Sequence, residues 1–283
     1  MPIRLQEYGV GIFIQTPTKS ALKKALKKGY VRVNGAIAST ATYIKGGETI
    51  QLEIPEGEIK EKKIFNLKLK VIYEDQYLAA IHKPAGLLVS GNGFKSINNA
   101  LLQNLIPSQE ADATLPHSVH RLDFPTTGIL LTGKTASCIR ELNSMFENKE
   151  IKKTYLAIVI GAIRDSGQIS DAIDGKVAVS TYQKLASAPS PRCGQLHLLR
   201  LEPKTGRRHQ LRKHLAEIGN PILGDKDYGK EGLILNGKGL YLHAYSLSFL
   251  HPKTGIELIL KDDIPTKFQK IFPEAVAKLK SES

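Results

Sequence analysis

The alternation of apolar and polar positions predicts a mixture of strands and helices. Apolar runs over residues 129–132 and 154–160 predict buried strands, and the apolar spacing between them predicts a helix over 136–147. Residues 96–106 and 208–219 predict two further helices, the second ending at a glycine. Because the elements do not follow a steady βαβ alternation, the pattern favours an α+β fold over a doubly wound sheet.

The first 54 residues predict a small unit of their own. Cap and proline residues at 16–18 predict the start of a helix that ends at Gly29. Asn34-Gly35, between VRV and AIA, predicts a type I′ hairpin, and residues 49–54 alternate as a strand. The apolar face of the helix consists of Ala21, Leu22, Ala25 and Leu26.

A charged and poorly periodic stretch at residues 55–66 predicts a linker. It separates residues 1–54 from a larger domain over residues 67–283, and 41% hydrophobic residues suffice for their cores. The longest apolar stretch, residues 155–163, is about half of what a membrane-spanning helix requires. The start MPIRLQEYGV lacks the apolar segment of a signal peptide, so we expect a cytoplasmic protein without membrane contact.

The polar face of the first predicted helix is uniformly positive. It carries Lys19, Lys23, Lys24, Lys27 and Lys28 with no acidic residue among them. A charge run is most often a solvated helix face, but stable exposed helices normally mix the two signs. The self-repulsion of this face therefore favours an anionic partner such as RNA phosphates.

The whole chain is basic as well. Lys and Arg number 40 against 27 Asp and Glu, which gives a formal net charge of +13. A basic surface suits a polyanion, of which nucleic acid is the commonest, although membrane surfaces are also anionic.

Most common cofactor and metal motifs are missing from the sequence. GxGxxG, HExxH, CxxC and GxSxG are absent. GILLTGKT, residues 128–135, matches the spacing of GxxxxGK[ST], but its apolar run predicts a buried strand, so we expect no cofactor and no metal. The spacings of His117 with His120 and of His209 with His214 could suit a metal, but no cysteine or carboxylate cluster completes a ligand set. The two cysteines are far apart and predict reduced thiols.

HRLDFPTTG, residues 120–128, places a carboxylate between cations and a turn. If Asp123 is buried, it needs a partner, and an arginine at hydrogen-bonding distance would hold it ionised. An ionised and oriented carboxylate is a nucleophile. Most aspartates in such turns cap a helix or brace the loop, so the spacing alone favours a structural role and leaves catalysis as the alternative.

A second basic cluster occupies residues 205–229 and includes Arg207, Arg208, His209, Arg212, Lys213 and His214. Arg208 and Arg212 are spaced i, i+4 and share a helix face. The cluster fits an ordinary surface of a basic protein. It also fits a phosphate grip with one inward arginine paired to a catalytic acid.

Five blocks of the chain, all in order, resemble the RluA-like family of RNA pseudouridine synthases. HRLDFPTTG resembles the signature HRLDxxTSG, and TGRRHQLRKHLAEIGNPILGDKDYG resembles TGRxHQxRxHxxxxGxPIxGDxxYG. VIYEDQYLAAIHKPAGLLV, KKTYLAIVIG and YLHAYSLSFLHPKTG are similar to three other family segments. The resemblance covers roughly residues 67–260, and the first fifty residues are similar to the αL RNA-binding module.

The resemblance implies a mixed, largely antiparallel central sheet with flanking helices, and an enzyme that isomerises uridines in RNA. It implies that Asp123 is the catalytic carboxylate, acting at C1′, through a glycal, or at C6. Tyr155 matches the family's active-site tyrosine, although a strand tyrosine can equally be a core residue. Arg212 matches the arginine that pairs with the catalytic aspartate. Arg121 is expected to fill the space that a flipped uridine leaves.

The αL-like module implies ribosomal RNA of the large subunit as substrate, with tRNA open. Alternatives are a non-catalytic RNA-binding or ribosome-assembly factor and a hydrolytic glycosidase, which would normally need two carboxylates. We expect a monomer. The residues expected to bind RNA are Arg121, Lys83, Arg207, Arg208, His209, Lys19, Lys23, Lys24, Lys27, Lys28 and Arg32.

Overall fold

The computed structural model describes residues 2–10, 12–13, 15–16, 19–58, 64–91, 93–234 and 237–281. Two sequence predictions fall partly outside these ranges. Pro17 and Thr18 at the predicted start of the first helix, and residues 59–63 of the predicted linker, lie outside the described residues.

Residues 3–52 form a small unit around one basic helix. Its elements are β1 (Ile3–Arg4), α1 (Leu5–Tyr8), α2 (Lys19–Lys27), β2 (Val31–Val33), β3 (Ala36–Ile37), β4 (Tyr43–Ile44) and β5 (Ile50–Leu52). Leu22, Ala25 and Leu26 of α2 are buried in a separate apolar cluster of this unit. Asn34 and Gly35 both have positive φ, 50° and 80°, as a type I′ turn requires, which confirms the predicted hairpin.

The rest of the chain is organised around one large sheet. Its strands are β6 (Val71–Glu74), β7 (Leu78–Lys83), β8 (Ala113–Ser118), β9 (Thr127–Thr135), β10 (Lys152–Ile160), β11 (Ser166–Ile169), β12 (Ser180–Ser190), β13 (Gly194–Pro203), β14 (Leu242–Leu250) and β15 (Glu257–Lys261). Its helices are α3 (Ile97–Ala100), α4 (Ala136–Glu147), α5 (Gln210–Glu217), α6 (Thr266–Gln269) and α7 (Pro273–Ser281).

The sheet has ten strands and is largely antiparallel. The path runs β11-β12-β13-β10-β14-β9-β7-β6, with β15 paired to β14 and β8 paired to β9. Only the β9–β14 pair is parallel among the described strands of this sheet. The predicted α+β class is confirmed, as are the strands within β9 and β10 and the helix α4.

The helix predicted over residues 96–106 is shorter than expected. It has one α-helical turn, α3, followed by a 3₁₀ turn at Leu101–Gln103. The Asn104 side chain donates to the carbonyls of Leu67 and Ala100 and accepts from the Leu69 amide. These bonds tie the segment to the start of the domain and compete with further helix.

Two apolar clusters lie along the sheet and meet near its centre. One is built on β10, β13 and the C-terminal helices, and the other on β7, β9 and α4. Tyr155 on β10 packs against both clusters. Within the described residues, no helix has both the length and the apolarity to span a bilayer.

The parallel junction of β9 and β14 requires a glycine. Gly128 pairs with Ala244 at a φ of +122°, and a Cβ there would lie 2.2 Å from the Ala244 carbonyl oxygen. Only glycine allows the two backbones to come this close. The junction fixes where the turn before β9 projects from the sheet.

We expect Gly128→Ala to lower the free energy of unfolding by about 3 kcal/mol or more, because it combines a backbone clash with an unfavourable φ. Gly46→Ala is the matched control, since Gly46 has a φ of +114° but no atom within 4 Å of an added Cβ. The control should lose only about 1 kcal/mol. Urea unfolding of both variants measures the difference, and equal losses would contradict the close-contact argument.

Candidate active site

Asp123 lies in the turn that leads into β9. The Thr126 amide donates to the Asp123 carbonyl at 3.1 Å, which closes the turn around Pro125. The Asp123 side chain is 20% exposed and lines a cavity of about 620 Å³. A carboxylate that is held by a tight turn and only partly wetted is suited to act on a bound substrate.

The cavity is strongly cationic. Seven lysines and arginines line it, against two carboxylates. The cations are Arg121, Lys149, Lys153, Lys204, Arg207, Arg208 and Arg212, and the carboxylates are Asp123 and Glu147. Glu147 is an exposed residue at the end of α4, so Asp123 is the carboxylate that the fold partly buries. A cavity of this charge suits a phosphate-bearing substrate.

Two side chains from the same segment approach the two oxygens of Asp123. Nε2 of His209 lies 3.9 Å from Oδ1, and Nη1 of Arg212 lies 4.0 Å from Oδ2. Both distances exceed a hydrogen bond, so the interactions are electrostatic in this state. The predicted pairing of Arg212 with Asp123 is therefore present as a loose contact.

Arg212 makes its close bonds to two other aspartates. Its Nε and Nη2 donate to Asp225 at 2.7 Å each, and Nη2 also donates to Asp227 at 2.6 Å. Its guanidinium carbon lies 4.9 Å from the centre of the Tyr228 ring. Burial by itself lowers the pKa of Arg212, but the bonds to Asp225 and Asp227 outweigh it and raise that pKa. The sequence did not predict that Asp225 and Asp227 bind Arg212, although both aspartates lie in the GDKDYG part of the motif.

Tyr155 lines the cavity from the start of β10. A bulge between Thr154 and Tyr155 changes the register of β10 against β14 at this point. Burial, and secondarily the charge of Asp123, raise the pKa of Tyr155 well above its usual range. Its hydroxyl is therefore protonated at neutral pH and available to donate.

Lys83 binds the backbone of the Asp123 turn from the protein interior. It is fully buried, and its ammonium donates to the carbonyls of Pro84, Phe124 and Thr126 at 3.0, 3.3 and 2.9 Å. Burial lowers the pKa of Lys83 to about 8, against the opposing charge of Asp123. The sequence prediction of an RNA contact is wrong for Lys83, because no part of this side chain reaches the surface.

A buried chain of polar groups supports the other side of the turn. Thr127 Oγ1 lies 2.9 Å from Nδ1 of His243, and Nε2 of His243 lies 3.8 Å from Asp262. Asp262 in turn pairs with His82 and Lys70. Burial lowers the pKa of His243 to about 4, so this histidine is neutral at neutral pH.

The other residues expected to bind RNA fall on two surfaces. Arg121, Arg207, Arg208 and His209 line the cavity, together with Lys149, Lys153 and Lys204, which the sequence did not single out. On the first unit, Lys19 pairs with Glu7, Lys28 with Glu58 and Arg32 with Glu53. Within the described part of the chain, Lys23, Lys24 and Lys27 form no ion pair.

The chain is similar to known RNA-modifying enzymes in sequence and in fold. Residues 77–217 match the family described as RNA pseudouridylate synthase. An uncharacterized RNA pseudouridine synthase of Aquifex aeolicus is 33% identical and covers 90% of this chain and 88% of its own length. The ribosomal large subunit pseudouridine synthase C of Rickettsia prowazekii is 33% identical over 95% of this chain and 96% of its own length.

Two further relatives widen the comparison. The tRNA pseudouridine synthase C of Vibrio vulnificus is 31% identical and covers 72% of this chain and 94% of its own length. The solved structure of human RNA pseudouridylate synthase domain containing 4 is 26% identical, with a TM-score of 0.57 over 70% of this chain and 90% of that one.

The fold and its relatives define an RNA-modifying isomerase. The chain belongs to the RNA pseudouridine synthase family, in its RluA-like branch. The sequence predictions of family, fold and enzyme class are thereby confirmed.

We expect Asp225→Asn to lower the free energy of unfolding by about 3 kcal/mol, because it leaves the buried Arg212 guanidinium poorly compensated. Asp227→Asn is the matched control, since it changes the same residue type on the same arginine but its side chain is 59% exposed, against 0% for Asp225. The control should change stability by less than about 1 kcal/mol. Thermal and urea unfolding measure both values. Similar losses in the two variants would contradict the assigned importance of the buried pair.

Proposed function

We propose that this enzyme converts specific uridines of large-subunit ribosomal RNA to pseudouridine, with Asp123 as its catalytic carboxylate. The observation that carries the proposal is the partly buried Asp123 at the wall of a cavity that is otherwise lined mainly by cations. Phosphates on either side of a target uridine fit the cations, and the carboxylate is left to meet the ribose or the base.

The chemistry needs one carboxylate and no oxidant. The bond from N1 to C1′ breaks, the uracil turns, and a bond from C5 to C1′ forms. C5 loses a proton and N1 gains one, so atoms and electrons balance without a redox partner. Asp123 serves the electron-poor C1′ or C6 centre as nucleophile or counter-charge.

Tyr155, Arg212 and Arg121 complete the proposed machinery. The protonated hydroxyl of Tyr155 supports hydrogen-bond donation to the loosened base, and its ring supports stacking. Nη1 of Arg212 lies 4.0 Å from Oδ2 of Asp123, which supports a role of Arg212 in orienting this carboxylate. Arg121 is exposed at the cavity beside Asp123, which supports a role in bracing the space of the flipped uridine.

The extent of the relatives favours ribosomal RNA over tRNA. The tRNA enzyme of Vibrio vulnificus leaves more than a quarter of this chain uncovered, although nearly all of its own length is matched. The large-subunit enzyme of Rickettsia prowazekii matches this chain almost from end to end. The extra length of this chain therefore agrees with the ribosomal relatives.

The first unit is proposed as an αL-type RNA-binding module over residues 1–54, joined by residues 55–66 to a catalytic domain over 67–283. Its separate apolar cluster supports this role, as do Lys23, Lys24 and Lys27, which have no ion-pair partner among the residues that the structure describes. Two free cysteines support a reducing compartment such as the cytoplasm.

Asp123→Asn should abolish tritium release from RNA that carries 5-tritiated uridine, while RNA affinity changes less than about threefold. Rearrangement at C5 must release that tritium to water. Ribosomal RNA and tRNA are assayed in parallel, and the wild type should act on the ribosomal RNA.

Three other results would count against parts of this proposal. Full activity of Asp123→Asn would remove the aspartate from catalysis. Release from tRNA alone would replace the substrate assignment. Free uracil as product would indicate hydrolysis in place of isomerisation.

Changing Lys23, Lys24 and Lys27 together to Gln should weaken RNA binding and reduce the slope of log K against log salt by about 2, since each phosphate contact contributes about 0.7 to 0.9. The matched control changes three exposed lysines at the C-terminus, Lys270, Lys278 and Lys280, to Gln and should leave the slope unchanged. Equal slopes in both triple variants would identify α2 as an ordinary solvated helix.

A further inference from the structure

His209 lies between Tyr228 and Asp123. Its Nδ1 is 2.9 Å from the Tyr228 hydroxyl, and its Nε2 faces Oδ1 of Asp123 at 3.9 Å. The Tyr228 ring meets the imidazole edge-on, with centroids 5.7 Å apart. The two nitrogens of one ring thus connect a tyrosine to the carboxylate.

The backbone holds His209 in a conformation that histidine rarely adopts. Its φ is +55°, in the left-handed region, directly before α5. The Gln210 side chain ties the surrounding loop, accepting from Thr205 and from the Arg207 amide and donating to Val179 and Ser180. A strained residue that its surroundings enforce beside a catalytic group indicates a functional constraint.

The contacts select one form of the imidazole. The Tyr228 hydroxyl can donate to Nδ1, which leaves the ring proton on Nε2, pointing to Asp123. The opposite tautomer would direct a lone pair at a carboxylate, which is unfavourable. The charge of Asp123 and the Tyr228 bond therefore favour the same tautomer.

We propose that His209 is a positioning residue for Asp123, and that Tyr228 fixes the tautomer in which it donates. Nε2 of His209 faces Oδ1 while Nη1 of Arg212 faces Oδ2, so the two groups together orient the carboxylate toward the nucleotide. The inference rests on the proposed catalytic role of Asp123. It replaces the expected role of His209 as a direct RNA contact.

Burial and two neighbouring arginines favour the neutral form of the His209 imidazole. Burial lowers the pKa of His209, Asp123 and Asp227 oppose this, and Arg212 and Arg208 add to the lowering. A neutral donor orients the carboxylate without adding another full positive charge next to Arg212. Asp123 thereby keeps more of its nucleophilic character than between two cations.

The test compares two amides at position 209. The Gln amide nitrogen can take the place of Nε2, whereas Asn tolerates the left-handed backbone but ends near Nδ1. His209→Asn should lower the single-turnover rate of tritium release about 10- to 100-fold, with RNA affinity within about threefold of wild type. His209→Gln should recover to within about fivefold of wild type.

Tyr228→Phe separates the tautomer from packing, because the ring that lies under Arg212 is kept. It should lower the rate about threefold to tenfold in the wild type, and have little effect when combined with His209→Gln, since an amide has no tautomer to fix. All of these variants are compared with wild type for thermal unfolding.

The outcomes separate the possibilities. Weaker RNA binding with an unchanged single-turnover rate in His209→Asn would make His209 an RNA contact and overturn the inference. An equal loss in His209→Asn and His209→Gln, or an additive effect of Tyr228→Phe, would also overturn it. Activity in Asp123→Asn would instead overturn the proposed function, so the two failures are distinguishable.

Discussion

The buried ion pair of Arg212 and Asp225 is the constraint on which the site depends. A guanidinium that is 2% exposed is tolerated only with well-formed bonds, and Asp225 supplies two of them. The pair ties α5 to the loop after it, over a separation of 13 residues. With Nε and Nη2 engaged, only Nη1 of Arg212 is directed at Asp123.

The same arrangement gives the cavity its contrast of charge. Lys83 donates to a carbonyl of the turn before β9, and Gly128 packs closely against β14 directly after that turn. These contacts keep Asp123 in place among the cations that line the cavity. A polyanionic RNA is attracted by the surrounding charge, and one carboxylate is kept where the reacting nucleotide arrives. Rigid support under a small functional turn is what positions such a group accurately.

Several elements of the fold could be predicted from the sequence. Long apolar runs determine β9 and β10, and the Asn34-Gly35 pair, whose residue types readily adopt positive φ, determines the hairpin. The short α3 could not, since Asn104 bonds to backbone groups some 35 residues away. Lys83 resembled a surface cation, because nothing local indicates the carbonyls that converge on it. Asp225 lies in a motif that the sequence shows, but its pairing with Arg212 is a tertiary contact that the motif does not predict.

The segment from Thr205 to Tyr228 therefore has two tasks that a pattern of basic residues does not distinguish. Arg207 and Arg208 are exposed at the cavity, where charge is free to meet phosphate. His209 and Arg212 turn inward and are each bound by a partner from the GDKDYG loop, Tyr228 and Asp225. An inward basic side chain that is bonded to another side chain of the fold orients a neighbouring group, while an exposed cation is available to the substrate.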